Sequence, residues 1–430
     1  LRMLRGNARD LFLPAEDALE FSHLARRMGY EGKGGLTAAQ ELKMDFETTS
    51  AEVRAFVESR LGRQDEEAGT VRSVADVILS PRAANDEGFL SLLKARGFSN
   101  PERGVRNLRS LAGKEERQHL FAHLAILAWD YLFRSADPDM ALNNWDTLVG
   151  QLQDPLRHFR ELQFQPKRLS LLLDIFASSQ FLSNVLNRHP ELFDWATSPA
   201  VVHRDRNEST LRSELAVDEK SSDDEESFMI RLRLFRFREI LRIGTRDICL
   251  GVPIESVVGD LSAVARSVLD TTLTFAWRRW KEEESASGGT PAKVDPERFC
   301  ILAFGKLGGN ELNYSSDLDL LAVYEAGDSG SPEVTAAYSQ IMKQLRHLAT
   351  ATTTAGNAYR IDMRLRPFGS AGLLVSPVEA VERYYADQAE NWERQALLKL
   401  APVAGNLEVG SRLLERLRSE ILAVDPPEKL

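Results

Sequence analysis

Two cysteines, Cys249 and Cys300, are all that 430 residues contain, so neither a disulfide framework nor a cysteine metal cluster can be built. Both sit in apolar settings and read as packing residues. Histidine is scarce too, with seven in all. The one pair at helical i, i+4 spacing, His119 and His123, has no nearby carboxylate of the kind a zinc peptidase motif needs, and reads as a solvated or core pair. Long apolar runs are missing: the longest, around 123–133 and 169–176, are broken by polar residues and fall short of the roughly 20 needed to span a bilayer. The amino terminus, Leu1-Arg-Met-Leu-Arg-Gly-Asn-Ala-Arg-Asp, lacks the apolar core of a secretory signal, and a cytoplasmic location with no membrane contact is expected. Excess positive charge is absent as well. Lysine plus arginine total 54 against 64 acidic residues, a formal net charge of −10, which gives no general drive toward nucleic acid or an anionic membrane while leaving local basic patches open.

What is present is an ordinary globular balance, 43% hydrophobic and 27% charged, long enough for about two to four domains. To about residue 280, apolar residues recur at three- and four-residue intervals and predict a bundle of amphipathic helices, as in Leu169-Ser-Leu-Leu-Leu-Asp-Ile-Phe-Ala-Ser-Ser-Gln-Phe-Leu-Ser-Asn-Val-Leu. His189-Pro190 ends that helix, because proline disfavours helical geometry in the residue before it, and Pro190-Glu-Leu-Phe-Asp-Trp fits a new first turn. A helix at 227–250 is rich in arginine. It reads either as a solvated basic face or as a surface that docks an acidic partner or closes over a nucleotide cleft. Two polar runs, 218–226 and 281–293, read as exposed loops. The period then changes, because Arg298-Phe-Cys-Ile-Leu-Ala-Phe304 has the make-up of a short buried strand. Further strands are expected at 318–324 and 358–366, with a helix at 332–352 and more helices from 377. No repeat of 20–50 residues argues for a solenoid. The expected fold class is α+β: a helical region over 1–290, a catalytic core with a small mixed sheet over 291–376, and carboxy-terminal helices over 377–430.

The chemistry concentrates in Gly305-Lys-Leu-Gly-Gly-Asn-Glu-Leu-Asn-Tyr-Ser-Ser-Asp-Leu-Asp-Leu-Leu. Asp317 and Asp319, two apart in an extended run, project from one face while Leu318 and Leu320 enter the core. Such a pair suits a hard divalent cation, and Mg²⁺ keeps open positions for waters and phosphates. Just upstream, Gly305, Gly308 and Gly309 permit close backbone approach to phosphate oxygens. Ser315 and Ser316 add hydroxyl donors. The pattern is not a Walker loop, since no Gly-Lys-Ser/Thr opens a helix. Farther on, Arg360-Ile-Asp-Met-Arg-Leu-Arg-Pro alternates, which predicts Arg360, Asp362, Arg364 and Arg366 on one strand face. Asp362 would then complete a three-carboxylate metal site while the arginines neutralise phosphate charge.

This constellation resembles the nucleotidyltransferase superfamily related to DNA polymerase β. The longer match is closer still. Phe304-Gly-Lys-Leu-Gly-Gly-Asn-Glu-Leu-Asn-Tyr-Ser-Ser-Asp-Leu-Asp, Arg360-Ile-Asp-Met-Arg-Leu-Arg-Pro-Phe-Gly-Ser-Ala-Gly and Asn391-Trp-Glu-Arg-Gln-Ala-Leu-Leu-Lys resemble the glutamine synthetase adenylyltransferase family, bifunctional enzymes that attach and remove AMP on glutamine synthetase. Upstream, Arg96-Gly-Phe-Ser-Asn-Pro, Asn187-Arg-His-Pro-Glu-Leu-Phe and Phe235-Arg-Phe-Arg-Glu-Ile-Leu-Arg-Ile-Gly-Thr-Arg-Asp are similar to the same family, so the likeness covers most of the chain. One departure stands out: the family usually reads Lys-Ala-Arg-Pro where this chain has Lys399-Leu-Ala-Pro402.

The resemblance implies a polymerase-β-like fold for the core and one of two related halves. Asp362-Met-Arg-Leu-Arg-Pro-Phe-Gly and Trp392-Glu-Arg look like the amino-terminal, AMP-removing half. That half implies phosphorolysis: phosphate attacks the AMP phosphorus of adenylylated glutamine synthetase and releases ADP. Asp317, Asp319 and Asp362 would then be the catalytic residues and the ligands of Mg²⁺. Gly308, Gly309, Ser315, Ser316 and Lys306 would cradle nucleotide phosphates, and Arg364 and Arg366 would bind the incoming phosphate or the product β-phosphate. Two alternatives stay open, AMP transfer from ATP at the same carboxylates and a catalytically idle module that relays nitrogen signals from the PII protein.

Overall fold

The computed structural model describes residues 19–32, 35–61, 74–79, 87–202, 204, 206–220, 224–287, 294–327 and 331–422. Its chain divides into two compact units, one of Leu1–Val201 with Ile248–Leu250, the other of Val202–Asp247 with Gly251–Leu430. Among the described residues no helix is long and apolar enough to cross a membrane.

In the first unit the sequence announces its helix starts. Asn100, Asp137 and Asp154 each accept a hydrogen bond from a backbone amide three residues on, at 2.9–3.0 Å. Each precedes a proline that opens its helix: Pro101–Ala112, Pro138–Gln151 and Pro155–Gln163. The side-chain oxygen satisfies an otherwise orphaned amide, and proline's fixed φ already suits a helical first turn. The single helix expected from Leu169 onward is two, Pro166–Ser178 and Gln180–Arg188, with the second ending at His189 as expected. Ser179 separates them: its backbone is extended and its hydroxyl caps Leu182. Trp145, Phe121 and Phe159 are fully buried together, with ring centroids 5.1–6.2 Å apart.

The second unit is built on a mixed sheet. Strand β1 (Phe299–Ala303) is buried throughout and runs antiparallel to both β2 (Leu318–Tyr324) and β5 (Ala401–Gly405). Strand β2 also pairs in parallel with β3 (Ile361–Asp362) and β4 (Val375–Pro377). Helix α1 (Glu208–Lys220) packs on the 34-residue α3 (Ile254–Ser287), which also covers β5 and α4 (Pro332–Thr350). The other sheet face is closed by α5 (Val378–Asp387) and α7 (Leu407–Leu422), through Val381, Tyr385, Val409 and Leu413. These elements establish the α+β class. The change of period near residue 290 lies inside this unit. Of the expected loops, 218–220 belong to α1, 225–226 open the helix that follows and 281–287 belong to α3, while 221–223 and 288–293 lie outside the described residues.

The arginine-rich helix, α2 (Glu225–Leu250), corrects both readings offered for it. Arg233 and Arg242 are fully buried, and Arg236 and Arg246 nearly so. Arg233 donates to the carbonyls of Met229 (2.7 Å), Leu348 (3.0 Å), Ala351 (2.5 Å) and Gly356 (2.8 Å). Arg242 pairs with Glu239, itself fully buried, at 2.9 Å and with Asp260 at 3.1 Å. These guanidiniums are internal struts, since a planar group with five donors can satisfy several backbone carbonyls at once.

Candidate functional site

The site forms where β1 ends and β2 begins. The Phe304 amide donates to the Asp319 carbonyl at 2.8 Å, and Gly305 follows with φ +59° in the left-handed region. A β-carbon at Gly305 would stand 3.2 Å from an Asp319 carboxylate oxygen, so glycine lets the backbone pass beside that carboxylate. The next turn is a four-residue helix, Gly305–Gly308, in which the Gly308 and Gly309 amides donate to the carbonyls of Phe304 and Gly305 at 3.2 and 2.9 Å. Gly308 is pinned between backbones: a β-carbon there would meet the Lys399 carbonyl oxygen at 1.8 Å and that of Ala303 at 2.2 Å. Lys306 is exposed on the turn.

The segment from Gly309 to Asp317 is anchored from behind. The Leu312 amide donates to the Ser262 hydroxyl of α3 (3.1 Å), and the Tyr314 hydroxyl donates to Asp247 of α2 (2.9 Å). Ser315 is exposed and its carbonyl accepts from Arg360, while the Ser316 hydroxyl is engaged with Asn313. Lys399 forms an ion pair with Glu311 beside Gly309. Trp392 is 57% exposed on α6 (Asn391–Ala396), and Glu393 accepts from the Tyr384 hydroxyl at 2.6 Å.

Strand pairing places the carboxylates. Asp319 lies directly opposite Asp362 across the parallel β2–β3 pair, with Asp317 two residues earlier and Leu318 and Leu320 buried between. Asp319 is held above the ordinary carboxylate range by burial first, then by the charges of Asp362 and Asp317. Asp362 is held below it, chiefly because the Arg364 guanidinium donates to it. Arg364 binds both oxygens, Nε to Oδ2 at 2.8 Å and to Oδ1 at 3.1 Å, and its amide reaches Oδ1 at 2.8 Å. Arg360 forms an ion pair with Asp317.

Those bonds cut short the strand expected over 358–366, of which only Ile361–Asp362 pairs. Once the Arg364 amide turns back onto the Asp362 carboxylate, the chain leaves the ladder, as Asx turns do. The expected four-residue charged face is therefore divided: Arg360, Asp362 and Arg364 stay at the carboxylates. Arg366 instead donates to the carbonyls of Met363 (2.6 Å), Ser370 (3.1 Å) and Gly372 (3.4 Å) and holds the following loop.

Among the described residues no group of three acidic, histidine or cysteine side chains stands ready as a metal cage. Two of the three aspartates are engaged by arginine, Asp317 by Arg360 and Asp362 by Arg364. The donor set itself suits a hard divalent ion: it is all oxygen, and Asp319 senses two neighbouring negative charges that its surroundings do not fully offset. Sequence reasoning placed Lys399 with Trp392 and Glu393 on a later helix bordering the cleft, and missed Glu311, Ser262 and Asp247 as parts of this neighbourhood. Lys399 lies 88 residues from Glu311 and Tyr314 lies 67 from Asp247, and no local pattern reports such pairings.

A family model described as glutamate-ammonia ligase adenylyltransferase matches residues 169–416. The bifunctional glutamine synthetase adenylyltransferase/adenylyl-removing enzyme of Methylococcus capsulatus is 34% identical over 332 residues, covering 74% of this chain and 34% of the relative. The enzyme of the same name from Neisseria meningitidis serogroup B is 31% identical over 353 residues, with 79% and 37% covered. That of Corynebacterium efficiens is 27% identical over 411 residues, with 94% and 38% covered. The chain thus spans little more than a third of the length of the curated relatives it matches.

Proposed function

The chain belongs to the glutamate-ammonia ligase adenylyltransferase family, and from that premise we propose that it removes AMP from adenylylated glutamine synthetase by phosphorolysis. The observation that carries the reading is the placement of Asp319 opposite Asp362, two residues after Asp317. A phosphate oxygen attacks the AMP phosphorus, the bond from phosphorus to the tyrosine oxygen breaks, and ADP and the restored tyrosine hydroxyl leave. A divalent cation such as Mg²⁺, held by Asp317, Asp319 and Asp362, would supply charge neutralisation at the attacking and leaving oxygens.

The chain's own groups do the rest. Arg364 is exposed and forked, suited to clamp the incoming phosphate against its repulsion from the phosphodiester. Lys306 on the Gly305–Gly308 turn and the Ser315 and Ser316 hydroxyls just ahead of Asp317 line the path of the nucleotide phosphates. Arg366 supports the same clamp by shaping the loop after Arg364. Residues 1–290 supply the recognition surface for the synthetase and for a PII-type signal protein, residues 291–376 the catalytic core, and residues 377–430, with the exposed Trp392, one border of the cleft. A protein substrate calls for such surface, since standard interfaces bury roughly 800 Å² per partner.

The direction rests on Asp362-Met-Arg-Leu-Arg-Pro-Phe-Gly and Trp392-Glu-Arg, the wording of the AMP-removing half. The test is ADP release from adenylylated glutamine synthetase with phosphate and Mg²⁺, run beside Asp319→Asn. Phosphate-dependent ADP release that vanishes in the variant is expected. Ready incorporation of labelled AMP from ATP into unmodified synthetase, with no phosphate-dependent release, overturns the direction.

A further inference from the structure

We propose that Arg360 and Arg364 are the built-in counter-ions of the carboxylate site: they occupy Asp317 and Asp362 until a divalent cation displaces them, and the freed guanidiniums then take the anionic phosphate. The proposal rests on the reading of Asp317, Asp319 and Asp362 as cation ligands. It concerns what those ligands do beforehand.

Three carboxylates gathered at one sheet edge repel one another, and an uncompensated charge held close to like charges is costly. Here two of the three are compensated. Arg364 grips Asp362 with both side-chain and backbone donors, and Arg360 grips Asp317 while also reaching the Ser315 carbonyl at 3.3 Å. A guanidinium does not deprotonate in proteins, so these positive charges cannot be titrated away and must move aside.

Both are free to move. The Arg360 and Arg364 side chains are 68% and 81% exposed. The hydrogen bonds of the Arg364 guanidinium all go to Asp362. Arg366 is the contrast two residues on, because its three donor contacts are all backbone carbonyls of its own loop, and it would have to unmake that loop to leave. The arrangement therefore separates two exchangeable arginines from one fixed arginine.

The consequence is coupling. A cation that takes Asp362 releases Arg364 for phosphate, and phosphate that engages Arg364 bares Asp362 for the cation, so each ligand strengthens the other by the same factor. An empty site stays closed to stray cations, and the two ligands are favoured together.

The experiment measures Mn²⁺ binding to the whole chain without nucleotide, by electron paramagnetic resonance of free Mn²⁺, for wild type, Arg360→Gln, Arg364→Gln, Arg364→Lys and Asp319→Asn. Each glutamine variant is expected to bind Mn²⁺ about tenfold more tightly, within the usual range of coupling between sites. Arg364→Lys keeps the charge but loses the fork, so it too should tighten binding several-fold. In wild type, Mn²⁺ should tighten binding of inorganic phosphate by a similar factor, and Arg364→Gln should abolish that dependence. If Arg364→Lys binds Mn²⁺ as wild type does, the arginine acts only through space and the exchange is refuted. Equal Mn²⁺ affinity in wild type and both glutamine variants refutes it as well. Absence of Mn²⁺ binding in every protein overturns the metal-site reading itself, a result distinguishable from failure of the exchange alone.

Discussion

Replacing Gly308 by alanine should damage the second unit far more than the same change at its neighbour Gly309. The added methyl at 308 would lie 1.8 Å from the Lys399 carbonyl oxygen and 2.2 Å from that of Ala303, both well inside the 3.0 Å that real β-carbons keep. Both neighbours are backbone, one ending β1 and the other leading into β5, so no rotamer change relieves the clash and the strands must shift. Overpacking a core ordinarily costs about 1–3 kcal/mol, and displacing two sheet strands puts this case near or above 3 kcal/mol. For a unit of this size about 2–4 °C is lost per kcal/mol, hence a melting point lower by roughly 6–12 °C. Gly309 has φ −77°, open to any residue, and its added methyl would meet Glu311 Cγ, Lys399 Cδ and the Gly305 carbonyl at 3.3 Å. Two of those are side chains that can yield, so a cost below about 1 kcal/mol is expected. Calorimetry of the two variants beside wild type decides the matter. If Gly308→Ala melts with wild type, or Gly309→Ala proves the more damaged, the glycine pair is kept for ligand approach and not for packing.

Glu239→Ala should destabilise the same unit by roughly 3–5 kcal/mol, because it strips the fully buried Arg242 of a partner at 2.9 Å and Arg206 of one at 2.5 Å; urea denaturation reads this out, and a loss under 1 kcal/mol would show the pair to be expendable. Burial in the first unit, with the Arg168 charge nearby, pushes His158 down to about 4 from its ordinary 6.5. The unfolded chain therefore takes up a proton at a higher pH than the folded one, and stability should fall as pH drops from about 6.5 to about 4, by roughly 3 kcal/mol in all. Thermal melts across that window should show the slope, and His158→Gln should flatten it. Burial pushes both thiols, Cys249 and Cys300, up to about 12, so a thiol reagent at neutral pH should label them quickly only after denaturant is added.

The period of the apolar residues located most of the second unit. Strand β2 spans the residues expected of it, β1 falls within one residue at each end, and α4 ends two residues early. Such elements are legible because their burial is periodic. Strand β3 was overextended because alternation in Arg360-Ile-Asp-Met-Arg-Leu-Arg cannot reveal that the Asp362 carboxylate captures the amide two residues on. The arginines of α2 were misplaced for a related reason: their partners include backbone carbonyls and acids from distant segments, and charge in a sequence ordinarily signals surface. The aspartates were legible as a set, whereas the arginines that occupy two of them depend on side-chain choices that spacing does not encode.

A strand of two residues cannot fix its own register, and β3 carries Asp362. Its approach is set by Arg233, whose guanidinium ties Leu348 at the end of α4 and the following Ala351 to the turn at Gly356, and by the Ala349 carbonyl, which accepts from the Ala358 and Tyr359 amides at 3.0 and 3.2 Å. From there the chain runs to Arg360, whose carbonyl accepts from the Leu318 amide at 2.9 Å and sets Ile361 beside Leu318. Because side chains alternate across a strand, a slip of one residue would set Ile361 or Met363 opposite Asp319 and turn Asp362 away. The number of residues between Gly356 and Asp362 is thus part of the site's geometry, as much as any of its side chains. A single inserted or deleted residue there would leave every functional group in the gene and none of the three-carboxylate arrangement in the protein.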